Sequence, residues 1–581
     1  MPRTNDEVAR LLDELAVLTQ IAEGDPNAFR VRAYQNAHRA VLGLNRDVAA
    51  MSEADLARVK GLGKSTAAKI REYVQTGTIA KLEQLRAAHP RGQRDLLRVP
   101  GLGAKTVGLL QSTLGITDLP GLQAAIDDGR LAALPGMGAK TVDNLADAIG
   151  KLGLTSKDRR VPIADAMAVA ERTVAVLRDV PGVVDAAYAG SLRRFRETIG
   201  DLDLLVATDD PEPVRAAFLA GDDIDRVIGS GETKTSVVTR DGLQVDLRVV
   251  PPGSFGAALL YFTGSKAHNI RLRQRALARD WTLNEYALAH QDDPTEVVAA
   301  ATEEDIYAAL GLPWITPELR EDDGEVEAAA DGRLPDLPTL ADIRGDLHVH
   351  TDLSGDGHEP LERMVAALVE RGRVYLGITD HAENLTINGV SRSAMEAQRV
   401  RLRELEQRRG DVRLLHGAEL NIGIDGSLDY DPAFLATFDW LVASVHSHFG
   451  RSVAQQTARV VRAIREPSVT AIGHLTGRMV GRRPGIDLDV EQVLDAAAET
   501  GTAIEINASL HRLDAPAAVI REGLARGVRF VISTDAHRIG DLDRMRFGVA
   551  QARRAGAPKD AIVNTRELDG FLGWIDEVRG A

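Results

Sequence analysis

From residue 343 onward, histidines and carboxylates recur at matching places. His348 and His350 lie two apart in RGDLHVH, and Asp535 and His537 lie two apart in FVISTDAH. His381, Glu419, His446 and His474 close four further apolar runs, and Asp356 follows the first in a Gly-rich loop. Residues two apart on a strand face the same way. The runs RGDLHVH, YLGITDH, LLHGAEL, LVASVH, TAIGHL, AIEINAS and FVISTDAH alternate with helical stretches. Seven such units predict a parallel barrel or a wound sheet. In a parallel barrel the C-terminal strand ends converge on one mouth. These nine imidazoles and carboxylates would meet there, and divalent cations would offset their repulsion and desolvation. Imidazole with carboxylate suits zinc, manganese or iron. Nine donors exceed what one tetrahedral ion takes, so two or three ions are expected. Clustered ions generate a hydroxide, bind a phosphate and stabilise a leaving oxygen. Arg451, Arg478, Arg482 and Arg483 stand nearby as candidate phosphate holders.

A second set of carboxylates lies in the middle of the chain. Asp201 and Asp203 occur in IGDLDLLVA, and Asp246 in QVDLRVV. On adjacent strands they would form an oxygen-rich site for two Mg²⁺ ions. Such a pair activates an attacking hydroxyl and stabilises a leaving pyrophosphate. Ahead of them, Gly190 and Ser191 in GSLRR predict a turn that presents backbone N–H groups to phosphates at a helix start, with Arg194 adding a cation.

The elements that position these groups differ along the chain. Residues 1–150 carry helical periodicity broken by glycine turns. One pattern occurs three times: VKGLGKSTAAKI from Val59, VPGLGAKTVGLL from Val99 and LPGMGAKTVDNL from Leu134. The first glycines are spaced 40 and 35 residues apart, which marks repeated supersecondary units. Each turn (Gly61 and Gly63, Gly101 and Gly103, Gly136 and Gly138) would offer backbone amides to one DNA phosphate, without sequence readout. A helix is predicted at about 162–178, followed by β-rich runs to residue 252 and mixed elements to about 318. The acidic, proline-containing stretch that follows reads as a linker.

Composition sets limits. The 581 residues allow about four domains at roughly 150 residues each. The net charge of −15 weighs against nucleic-acid binding, but residues 1–110 hold 17 Lys/Arg against 12 Asp/Glu, a local excess of the opposite sign. With no cysteine, disulfides and thiolate metal sites are excluded. No apolar run reaches the ~20 residues of a membrane span. The start, MPRTNDEVARLLDEL, reads as an amphipathic helix and not a signal peptide, so a cytoplasmic location is expected.

The motifs HVHT with SGDG, TDH, GAE, SVH, GH and TDAH resemble the PHP (polymerase and histidinol phosphatase) family over about residues 343–570. That resemblance implies a distorted (β/α)7 barrel with a trinuclear centre. His348, His350, Glu419 and Asp535 would hold one ion. Glu419, His446 and His474 would hold a second, and Asp356, His381 and His537 a third, where some members carry His in place of Asp356. The GS-x-RR, GD-x-D and later Asp constellation, with YFTGSKAHN and WTLNEY, resembles the palm of X-family DNA polymerases. By that resemblance Ser191, Arg194 and Gly200 would bind the triphosphate. Tyr261, Phe262 and Gly264 would shape the sugar pocket, and Asn269 and Arg273 would lie near the nascent pair. Lys266 departs from the pattern, because animal relatives carry Asp there. The glycine repeats resemble helix-hairpin-helix motifs, one more than in the animal enzymes. Lys69 matches the Schiff-base lysine of the family's 5′-deoxyribose-phosphate lyase, with Lys64 and Arg71 close enough in sequence to lower its pKa. The neighbouring family lysine is Ser65 here.

The expected organisation is therefore multidomain: a helical DNA-binding, lyase-like domain over 1–90 and fingers over 91–158. An α+β nucleotidyltransferase palm over 159–252 and a thumb over 253–320 follow. A linker over 321–342 leads to the PHP phosphoesterase over 343–581. The expected function is gap-filling DNA synthesis in repair, with 3′–5′ exonuclease or 3′-end phosphoesterase activity in the barrel. Gapped or primed duplex DNA and dNTPs are the expected partners. Mg²⁺ or Mn²⁺ is expected at the palm and two or three Mn²⁺ or Zn²⁺ ions in the barrel. A monomer with no membrane partner is expected. Two rivals are a barrel that is a small-molecule phosphatase and a front half that only delivers a nuclease to DNA.

Overall fold

The computed structural model describes residues 4–23, 28–42, 48–88, 96, 102, 104–117, 119–134, 137–138, 141–142, 145, 160–240, 242–385, 388–480 and 483–580. The chain divides into two compact units, Met1–Arg159 and Arg160–Ala581.

The first unit is helical among its described residues. The helix Thr4–Glu23 buries Val8, Leu12, Leu15 and Leu18, which recur at helical spacing. They pack with Tyr34 and Val41 of Phe29–Leu42 and with Ile70 of Lys64–Thr76. The first glycine repeat joins Glu53–Arg58 to Lys64–Thr76, with Gly61 at φ +97. Leu62 N–H bonds to Val59 O at 3.0 Å, and the N–H groups of Thr66 and Ala67 bond to Gly63 O at 3.0 and 2.9 Å. The third repeat reproduces this pattern. Met137 N–H bonds to Leu134 O at 3.1 Å, and Thr141 and Val142 bond to Gly138 O at 2.8 and 3.1 Å. Leu62, Leu102 and Met137, equivalent in the three copies, are all buried. Gly101, Gly103 and Gly136 lie outside the described residues.

The second unit begins with the helix Ile163–Arg178, packed on a five-stranded sheet. Spatially the strands run Asp185–Tyr188, Asp201–Ala207, Gln244–Val250, Lys234–Thr239, Ile224–Ser230. Asp201–Ala207 pairs in parallel with Gln244–Val250, so Asp203 lies directly beside Asp246. Two helices follow, Phe255–Thr263 and Lys266–Leu277, then a three-stranded antiparallel sheet and the helix Glu303–Ala309. These elements are joined by a buried charge network. Glu303 accepts two N–H groups from Arg320 at 2.7 and 3.0 Å and two from Arg193 at 2.7 and 2.9 Å. A buried carboxylate is tolerated when paired and hydrogen-bonded in this way.

Residues 321–342, expected as a linker, are folded. They contain the helix Glu325–Ala330 and a 3-10 turn at Leu340–Asp342. Glu325 is buried and meets His268 Nδ1 at 2.6 Å, while His268 Nε2 meets the Tyr307 hydroxyl at 2.7 Å.

The last part is a seven-stranded parallel sheet in sequential order, from Gly345–Val349 to Phe530–Ser533. An isolated parallel bridge between Val349 and Ala536, just beyond the last strand, brings the two edges of the sheet together into a nearly closed barrel. Six of its strands are buried along their whole length, which is why they read as apolar runs broken by few polar groups. Phe547 and Leu513 of this barrel belong to the core of the five-stranded sheet domain, so the two share packing.

Candidate active sites

At the barrel mouth the nine predicted side chains meet around Glu419, which is buried. Its Oε2 lies 3.5 Å from His348 Nε2, 3.7 Å from His350 Nε2 and 2.8 Å from His381 Nδ1. Its Oε1 lies 3.1 Å from His446 Nε2 and 2.9 Å from His474 Nε2. Asp535 Oδ1 stands 3.8 Å from His348 Nε2 and 3.5 Å from His350 Nε2. Asp356 Oδ2 stands 3.3 Å from His381 Nε2 and 3.5 Å from His537 Nε2. Glu419, Asp535 and Asp356 thus each face at least two imidazoles. The tightest groups are His350 with His381 and His537, His348 with His350 and Asp535, and His381 with Glu419 and His446, so His350 and His381 are the shared members. His348 Nε2 and His350 Nε2 are buried and have no hydrogen-bond partner among the described residues. Buried donors aimed together at shared carboxylates fit divalent cations.

The electrostatics agree. Burial would depress the His348 imidazole, but Glu505, Glu419 and Asp535 hold it well above its ordinary value. Burial, reinforced by His537 and His381, pushes His350 down to about 3. Burial opposes ionisation of Asp535, yet His348, His350 and Arg512 keep its carboxyl well below the usual range. A site whose members are driven in opposite directions is poised for cations that replace the protons.

Behind these groups stands a supporting layer that sequence reasoning missed. Glu505 meets His348 Nδ1 at 2.7 Å through Oε1 and accepts the His474 backbone N–H at 2.6 Å through Oε2. Asn507 donates to both Glu505 and Asp535, at 3.0 and 3.1 Å. Asn421 Oδ1 meets His446 Nδ1 at 2.8 Å, and Asn388 donates to Asp356 at 2.7 Å. Such partners fix imidazole tautomer and orientation. The signal is present in AIEINAS, where Glu505 and Asn507 are two apart on a strand.

Among the arginines expected to hold phosphates, Arg478 is engaged elsewhere. It forms a two-pronged pair with Glu197 at 2.7 and 3.1 Å. Arg483 stacks 3.9 Å over the Phe449 ring and donates to Gly477 O at 2.7 Å. Arg451 is exposed, and Arg482 lies outside the described residues.

The central site is built differently. Asp203 and Asp246 are in register, and Asp201 is on the same strand as Asp203. Asp246 accepts from Lys234 Nζ at 2.8 Å and from Gln244 at 2.9 Å. Burial, with Asp201 and Asp246 beside it, raises the Asp203 carboxyl to about 7. This concentration of carboxylate oxygens fits hard cations. The helix Gly190–Arg193 is a single turn, tied to the carboxylate strand by an Ala189 N–H to Asp203 O bond of 2.8 Å. Gly190 has φ +63, and a Cβ there would lie 2.5 Å from Asp203 Oδ2, so any other residue strains the turn and displaces the carboxylate. Ser191 and Gly200 are half-buried at either end of the segment leading to Asp201. Arg194 points to the thumb, bonding Glu321 at 3.1 Å and Thr263 O. Gly264 lies against Arg194. Asn269 donates to Tyr261 O at 2.8 Å, the Arg273 guanidinium lies 5.2 Å from the Tyr261 ring centroid, and Phe262 packs edge-on at 5.0 Å. The expected sugar-pocket and base-side residues therefore cluster. Lys266 opens the helix capped by Ser265.

In the first unit, Lys69 Nζ donates to Ser65 Oγ at 2.9 Å and lies 5.8 Å from the Tyr34 ring centroid. Burial lowers its pKa, Glu72 opposes this and Lys81 adds to it. Arg71, expected to contribute, instead donates to Ala49 O and Met51 O at 3.1 and 3.0 Å.

Comparison with known proteins agrees with this arrangement. Residues 3–79 match a helix-hairpin-helix domain and 94–151 a SAM-like helix-hairpin-helix tandem. Residues 258–321 match the DNA polymerase beta thumb and 346–509 the PHP domain. The chain is 37% identical over 566 residues to the DNA polymerase/3'-5' exonuclease PolX of Bacillus subtilis (strain 168), covering 97% of each. A probable phosphatase of Photobacterium profundum is 31% identical over 242 residues, 40% of this chain and 93% of the relative. Fold and sites together define a polymerase of the X family joined to a PHP barrel. The chain belongs to the PolX family of such polymerases.

Proposed function

We propose that this chain is a DNA polymerase with 3′–5′ exonuclease activity that fills short gaps during repair. The observation that carries the reading is the presence, within one compact unit, of the Asp201, Asp203 and Asp246 trio and the cluster around Glu419. The similarity to probable phosphatases spans only about the barrel's share of the chain, whereas the polymerase similarity spans nearly all of it. That weighs against a small-molecule phosphatase.

In the palm, Asp201, Asp203 and Asp246 would hold Mg²⁺ or Mn²⁺. In the barrel, two or three Mn²⁺ or Zn²⁺ ions would be held by the three groups that Glu419, Asp535 and Asp356 define. Bound cations supply the positive charge that phosphoryl transfer requires at both sites. The protein's share is positioning. Gly190 and Ser191 bring backbone N–H groups towards the triphosphate of a dNTP. Tyr261, Phe262 and Gly264 wall the sugar, with Asn269 and Arg273 behind them. In the barrel, Glu505 and Asn421 fix the imidazoles so that the phosphodiester meets a preset frame. The glycine turns at Gly61, Gly101 and Gly136 and their partners Gly63, Gly103 and Gly138 hold gapped or primed duplex DNA by its backbone. We assign 5′-deoxyribose-phosphate removal to Lys69, whose ammonium is weakened by burial. Among the described residues no helix is long and apolar enough to cross a membrane. We place the protein in the cytoplasm, acting as a monomer.

A duplex with a one-nucleotide gap and a 3′-labelled primer tests the reading. With dNTPs the primer grows by one residue, and without them labelled mononucleotide is released. Hydrolysis of a free phosphomonoester with the DNA left intact would support the phosphatase rival. Absence of dNTP incorporation would support a DNA-binding module that carries a nuclease.

A further inference from the structure

The segment between the Gly190–Ser191 turn and Asp201 is held from outside its own domain. Glu197 accepts two N–H groups from Arg478 and a third from Gln551 Nε2 at 3.0 Å. Two residues earlier, Phe195 has φ +52. Its carbonyl accepts from Arg554 at 3.2 Å, and its ring packs edge-on to Phe547 at 6.0 Å. Arg478, Gln551, Phe547 and Arg554 all belong to the barrel. On the palm side, Ile163 N–H bonds to Glu197 O at 3.0 Å and Arg160 Nε to Thr198 Oγ1 at 2.7 Å.

Arg478 is itself fixed. It follows the cluster member His474 by four residues. Its Nε donates to Arg512 O at 2.9 Å, and one terminal N–H donates to Leu513 O. Arg512 in turn lies 3.4 Å from Asp535. Burial would raise the Glu197 carboxyl, but Arg478 and Gln551 hold it below its usual value. A planar, two-pronged guanidinium–carboxylate pair fixes direction as well as distance.

We propose that Glu197 and Arg478 are positioning residues of the polymerase reaction, through which the exonuclease barrel sets the 194–200 segment that spaces the phosphate turn from Asp201. This rests on the polymerase reading of the palm. In a second barrel–palm pair, Arg546 meets Glu171 of the helix Ile163–Arg178 at 2.7 Å, and replacing Glu171 breaks this pair while leaving the Arg546 guanidinium over the Phe547 ring. It supplies the control for simple stapling.

The test is steady-state extension of a gapped primer by the full chain, with dNTP varied, for wild type, E197Q, R478A, R478K and E171Q. Thermal midpoints and degradation of the same DNA are read alongside. Misplacing a binding element by a fraction of an ångström to 1 Å costs about tenfold to a hundredfold. E197Q and R478A are expected to raise KM for dNTP about tenfold, with R478K between them and wild type and E171Q unchanged. E197Q should degrade the primer within about twofold of wild type and keep its thermal midpoint. Wild-type KM and kcat in E197Q and R478A would overturn the inference. So would equal losses of extension, degradation and midpoint in E197Q and E171Q, because the pair would then be a plain staple. Should E197Q fail to fold, R478K against E171Q decides by the same criteria. Wild-type protein that extends no better than D201A/D203A would instead refute the polymerase reading itself.

Discussion

The two sites reach the same end, a place for divalent cations, by opposite constructions. The barrel cluster is buried except at the half-buried Asp356, His446 and His537, and its members are held by hydrogen bonds with Glu505, Asn507, Asn421 and Asn388. The palm trio stands on two neighbouring strands, with Lys234 and Gln244 on Asp246 and an elevated Asp203. The first is a finished frame that needs only its ions. The second is completed by what arrives, the nucleotide and the DNA end. A hydrolytic site that meets many sequences benefits from rigidity. A templated one gains specificity by assembling around the correct substrate.

This contrast can be broken in graded steps. The largest effect is expected from G190A. Its Cβ would lie 2.5 Å from Asp203 Oδ2 in a left-handed backbone conformation, so the turn or the carboxylate must move. Primer extension should fall about a hundredfold while degradation is unchanged, read on one labelled duplex. Equal extension by G190A would mean that the palm tolerates displacement of Asp203.

Glu505→Gln tests the frame. Loss of a carboxylate behind a ligating imidazole costs about 10–100-fold in metal affinity or activity. Degradation should need correspondingly more Mn²⁺, with extension unaffected. An unchanged Mn²⁺ requirement would show that the imidazoles hold themselves in place.

The smallest effect concerns pH. Asp203 is raised from its ordinary value to about 7 by burial and by its two acidic neighbours. The folded state therefore favours the protonated form, so the stabilising contribution is complete below ~4. It is lost as pH rises through about 7. In chelator, D203N should gain about 1–2 kcal/mol on wild type between pH ~5 and pH ~8, by denaturant titration. A constant difference across that range would contradict the raised carboxyl.

Much of this is legible in the sequence, for a definite reason. Strand ends in a parallel barrel are marked twice, by an apolar run and by the polar residue that stops it. His348, His381, His446 and Asp535 can therefore be placed from the sequence alone. Asp203 and Asp246 can be paired because each interrupts a Val/Leu strand. The supporting groups are hidden by distance along the chain. Glu505 serves His348 from 157 residues away, and Glu197 meets Arg478 across 281. Composition also misleads at residues 321–342. Acidic residues and prolines suggest a linker, yet Glu325 accepts the N–H groups of Asp322 and Asp323 and meets the buried His268. Arg478 reads as a phosphate holder because an arginine near a metal cluster gives no sign, in sequence, of a carboxylate partner so far away.

The central claim is that one chain carries two separable active sites. The most direct measurement uses a single gapped duplex with wild type, D201A/D203A and H348A/H350A, following extension and degradation together. The account predicts that the first pair abolishes extension and spares degradation, and that the second does the reverse. Extension that survives D201A/D203A, or degradation that survives H348A/H350A, would contradict it.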